Sequence, residues 1–146
     1  MSTTTDVIRG LPDDPDLSVE ITTGTEHFRN GAIALTVRGD GEVSVQQRRS
    51  GAEREYRGRL DAERMRRLAD ELAADELGEL ADSGGDRLPD DFPITIRIER
   101  AGELLHAASI RDSDRWKDER LNRVVRSYDA LVAELTDGAL PYGRRA

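Results

Sequence analysis

The chain has no cysteine, which excludes disulfides, thiolate metal sites and cysteine nucleophiles outright. Aromatic residues are scarce, with one Trp, three Tyr and two Phe, so the stacking platforms of sugar sites and single-stranded nucleic-acid grooves are largely missing. There are two histidines, His27 and His106. No run approaches the ~18 apolar residues of a membrane span. The opening "MSTTTDVIRG" lacks the basic start and apolar core of a signal peptide. The expected location is the cytoplasm, with no membrane partner. Lysine is nearly absent too: Lys117 is the one lysine among 22 basic residues, a bias that coding in a GC-rich genome accounts for.

Bases are also outnumbered, 22 against 30 acids, for a net charge of −8. Such a balance favours solubility and disfavours nucleic acid and anionic membranes as partners. At 146 residues, 36% hydrophobic and 36% charged, the chain can form one domain with a modest core.

Period-two alternation marks the strands. Leu17, Val19 and Ile21 alternate with polar residues; Ile33, Leu35 and Val37 do so before Gly39-Asp40-Gly41, and Val43 and Val45 after it. A second turn at Ser50-Gly51 leads into "EREYRGRL", with Tyr56, Gly58 and Leu60 on one face. Asp61 can cap a first helix with an apolar stripe of Met65, Leu68, Ala69, Leu72 and Ala73, ending near Leu77 before Gly78. In "FPITIRIERAGELLHAASI", Ile94, Ile96 and Ile98 point one way, Ala101-Gly102 turns the chain, and a return strand carries His106. Asp112 or Ser113 would cap a long second helix with a stripe of Leu121, Val124, Val125, Tyr128, Leu131, Val132 and Leu135, stopped by Gly138 and Pro141.

The order predicts an α+β two-layer sandwich, an antiparallel sheet of about five to six strands with two helices on one face. Residues 1–16, polar and carrying Pro12 and Pro15, are expected as a flexible or loosely docked arm; residues 17–140 form the domain and 141–146 a tail.

Catalysis has no visible candidate. No serine sits in a G-x-S-x-G turn and no phosphate-binding glycine loop follows a strand; no cofactor, metal or catalytic residue is assigned. Three groupings remain. His27, His106 and the acidic loop from Asp82 through Asp86, Asp90 and Asp91 offer the residue types of a metal-dependent hydrolase or a cation site. Between Arg48 and Arg67 eight arginines face four acids, and Arg48, Arg49, Arg57, Arg59, Arg66 and Arg67 could meet as a face for an acidic protein, peptide or nucleic acid, or be paired internally. Phe28 and Trp116 are candidate contact anchors, although Trp116 could instead cover the sheet edge. The expected function is a non-catalytic protein-interaction module, a regulator, inhibitor or immunity-type partner, acting as monomer or homodimer.

"DGEVSV", "LDAERMRRLADELAADELGEL" and "DDFPITIRIERAGELLHAASI" followed by a closing helix resemble, over roughly residues 32–136, emfourin-like inhibitors of thermolysin-type metallopeptidases and related small bacterial domains. That family's partners are peptidases, but peptidase inhibition is not carried over to this chain, because the resemblance fails at one place. It departs at the amino-terminal strand, where the family carries a Ser-Gly-Gly-type segment and this chain reads "GTEHFRNGAIAL"; Ser83-Gly84-Gly85 comes much later. No inhibitory residue is therefore carried over.

Overall fold

The computed structural model describes residues 4–24, 31–49, 51–82 and 93–137. Six strands, β1 (Leu17–Thr23), β2 (Ala32–Arg38), β3 (Glu42–Arg49), β4 (Ala52–Arg59), β5 (Pro93–Arg100) and β6 (Glu103–Arg111), form one antiparallel sheet in the order β4-β3-β2-β1-β5-β6. The α-helices are α1 (Thr4–Arg9), α2 (Ala62–Ala74) and α3 (Glu119–Leu135). The first four strands run as a meander, each hydrogen-bonded to the next in sequence. From β4 at one edge, α2 carries the chain back over the helical layer, and β5 enters beside β1. The result is the expected α+β two-layer sandwich.

Alternation decides which face is covered. Leu17, Val19 and Ile21 of β1, Ile33, Leu35 and Val37 of β2, and Ile94, Ile96 and Ile98 of β5 are all buried. The intervening Ser18, Glu20, Thr22, Thr36 and Thr95 lie on the opposite, helix-free face. The covering stripes are Met65, Ala69, Leu72 and Ala73 on α2 and Leu121, Val124, Val125, Tyr128, Leu131 and Val132 on α3. Each large apolar side chain so buried stabilises the fold by ~1.5–3 kcal/mol. Tyr128 fastens α3 to the sheet: its hydroxyl donates to the Ile33 carbonyl at 2.8 Å and meets the buried Thr23 hydroxyl at 2.9 Å. Burial pushes the Tyr128 phenol up, since the phenolate would have to form away from water.

Three expectations need correction. Residues 4–16 are no loose arm. They form α1 and a 3-10 turn at Leu11–Asp13, with Ile8 and Leu11 wholly buried against the rest of the core. Gly39 shows how close this segment lies, because a Cβ there would come within 1.7 Å of the Asp14 carbonyl oxygen. The first helix ends at Ala74 rather than near Leu77, since Glu76 takes a left-handed conformation at φ 53°. Gly78 does not stop that helix but makes room for α1, as a Cβ on it would fall 2.4 Å from the Thr4 methyl carbon. Finally, the second helix starts later than expected. Asp112–Trp116 is a separate 3-10 turn, and Asp118 is the cap, accepting from Arg120 N at 3.0 Å. Asp61 caps α2 as expected, accepting from Arg64 N at 2.8 Å. The expected stop at Gly138 and Pro141 lies outside the described residues.

Candidate functional site

The histidine and acid grouping comes first. His106 pairs with Ile98 across the β5–β6 ladder, on the helix-covered face. Its Nε2–H donates to the Leu80 carbonyl at 2.9 Å. Asp82 is engaged nearby, accepting the backbone N–H of Ser109 at 2.7 Å. Both side chains therefore stitch residues 80–82 onto strand β6. His27, Asp86, Asp90 and Asp91 lie outside the described residues, as does Phe28. Among the described residues, no three His, Asp or Glu side chains gather closely enough to hold a metal ion.

The six arginines do not meet on one face. Register pairs Arg48 with Glu53, Arg57 with Ser44 and Arg59 with Glu42, all at the helix-free parity, while Arg49 is the last residue of β3, opposite Ala52 and at the other parity. Arg66 and Arg67 project from the solvent side of α2, across the sheet. Two of the six are engaged locally: Arg57 forms an ion pair with Glu55, and Arg59 donates to the Asp40 carbonyl at 2.8 Å. The hydrogen bond from Arg57 holds the Glu55 carboxyl below its ordinary range. The strand-to-helix passage at Leu60 and Asp61 is what separates the two groups, because it turns the chain from the sheet onto the helical layer.

Trp116 does not cover the sheet edge. Its side chain is 71% exposed, at the end of the 3-10 turn that precedes α3. Arg115 backs it, with the guanidinium carbon 4.7 Å from the indole centroid. Arg115 is itself only 3% exposed, donates from Nε to Asn122 Oδ1 at 2.8 Å, and lies 3.8 Å from Asp112. The indole thus faces solvent with a fixed cation behind it, an arrangement worth roughly 0.5–2 kcal/mol for such pairs.

A further feature was not anticipated from sequence. Helices α2 and α3 run antiparallel and are clasped by ion pairs at both ends. Arg64 binds Glu134 in a bidentate fork, with Nη2 to Oε2 at 2.6 Å, and Arg123 binds Asp75 at 2.5 Å. The Arg64 hydrogen bonds hold the Glu134 carboxyl below its ordinary range. Beside the Arg64–Glu134 pair, which contributes to its lining, the helices leave a groove of about 340 Å³ bounded by Leu68, Ser127, Leu131 and the flanking Arg67, Glu71 and Arg126. The small side chains Ser127 and Ala130 open it. Small residues beside the apolar stripe of α3 were the available signal, but they do not reveal which helix they face.

No helix among the described residues is long and apolar enough to cross a membrane. In comparison with known proteins, no family model matches this chain and no curated protein matches it.

Proposed function

We propose that this chain is a non-catalytic protein-interaction module, a regulator, inhibitor or immunity-type partner, that engages its partner through Trp116. The observation that carries this reading is the exposed indole held in place by a buried arginine. A ring backed by a buried cation has one face already in contact, while the large apolar area of the other leaves water on docking. Tryptophan is accordingly over-represented among the few residues that dominate binding energy at protein interfaces.

The test is to retrieve the partner with the immobilised chain, then measure its affinity for wild type and for Trp116→Ala. A hot-spot tryptophan predicts a loss of at least about tenfold. Equal affinities would refute the role of Trp116.

A further inference from the structure

We infer that the groove between α2 and α3 is a binding site for an amphipathic carboxylate, a small molecule with an unbranched apolar chain and one anionic head. The inference is independent of Trp116, which precedes α3, whereas the groove faces the later part of that helix.

The clasps define the site. Arg64–Glu134 and Arg123–Asp75 tie two antiparallel helices together, and the groove lies at the first of these ties, with Arg64 and Glu134 in its own lining. The groove volume of about 340 Å³ falls within the roughly 300–1,000 Å³ typical of small-ligand sites. Its floor is apolar, made by Leu60, Leu68 and Leu131. Leu68, Ser127 and Leu131 also roof a small apolar void over Val19, Leu35 and Val37 of the sheet, so the lining below stays apolar as far as the strands.

Charge selects the head group. Glu134 is taken by Arg64 within the clasp. That leaves Arg67, Arg126 and Glu71 at the mouth, a local excess of one positive charge on a protein of net charge −8. Neither Arg67 nor Arg126 makes an ion pair within 4 Å with any described residue. Guanidinium groups recognise carboxylates through paired N–H donors, which an alcohol cannot match and an ammonium would oppose.

The test is a titration of the isotopically labelled chain, followed by amide NMR, with octanoate, octan-1-ol and octylammonium in parallel. Octanoate should give saturable shifts centred on Leu68, Ser127 and Ala130, with affinity at least about tenfold above octan-1-ol and the ammonium weakest. The double variant Arg67→Gln/Arg126→Gln should bind octanoate no better than the alcohol. Ala130→Leu, which fills the groove from an exposed position, should weaken both ligands. The inference is overturned if octanoate shifts do not saturate or map elsewhere, if octylammonium binds as well as octanoate, or if the double variant keeps wild-type affinity.

Discussion

Arginines on the two sides of the sheet behave differently. On the helix-free face, Arg57 pairs with Glu55 two residues away and Arg97 with Glu99 likewise, all on solvated strands. On the helical side, Arg64 and Arg123 join α2 to α3 across 70 and 48 residues of chain, and Arg115 is buried beneath Trp116. Exposed pairs between near neighbours contribute little, because water screens them and flexible side chains must be ordered to make them. A buried guanidinium is another matter, since removing it strands the polar groups that surround it. The lesson is that arginine density along the sequence is a poor guide to the arginines that shape this molecule, since of Arg64, Arg115 and Arg123 only Arg64 lies in the dense stretch.

The largest expected break in that comparison is Arg115→Ala. It leaves Asn122 and Asp112 without their cation in a site that is 3% exposed at the arginine. Chemical denaturation should show a loss of about 3 kcal/mol. A loss indistinguishable from that of a surface variant would place Arg115 with the solvated arginines.

Arg64→Met is the intermediate case, with a cost under about 1 kcal/mol because both partners are partly exposed. Its signature is pH dependence. The Glu134 carboxyl titrates below its ordinary 4.5 in the folded chain, so its contribution is present above that value and is lost as pH falls through the lowered one. The difference in melting temperature between wild type and Arg64→Met should therefore begin to narrow as pH falls below 4.5 and close on further acidification. A gap that persists or widens in acid would contradict the clasp.

Arg57→Ala is the smallest. It removes a surface pair whose arginine is 71% exposed, and the denaturation midpoint should not move measurably; a clear shift would blur the contrast between the two faces.

Legibility in the sequence followed the range of the physics involved. Strand alternation and the α3 stripe are local patterns, and the sheet and helices emerged where Ile33, Leu35, Ile94, Ile96 and Val124 placed them. The docking of α1 was hidden, because Ile8 and Leu11 are two apolar residues amid acids and prolines. What holds them is burial in the core, and Gly39 and Gly78 give the segment room to approach, neither of which signals a contact from sequence. The cap of α3 was misplaced because Asp112, Ser113 and Asp118 are all competent caps, and only the 3-10 turn at Asp112–Trp116 selects the last. The direction of His106 was illegible for a similar reason. Small and apolar residues flank it on both faces, and the register shift opposite Ile98 and Glu99 interrupts the alternation beside it. The arginine cluster dissolved because a strand and the following helix place adjacent sequence on opposite sides of the sheet.

The proposal that Trp116 is the contact rests on the one tryptophan in the chain, which makes it its own reporter. With the chain labelled by fluorotryptophan, fluorine NMR gives a single resonance to follow as the retrieved partner is added. The account predicts that this resonance moves and that its solvent isotope shift falls as the indole leaves water. An unchanged resonance in the saturated complex, still sensitive to the solvent isotope, would contradict it.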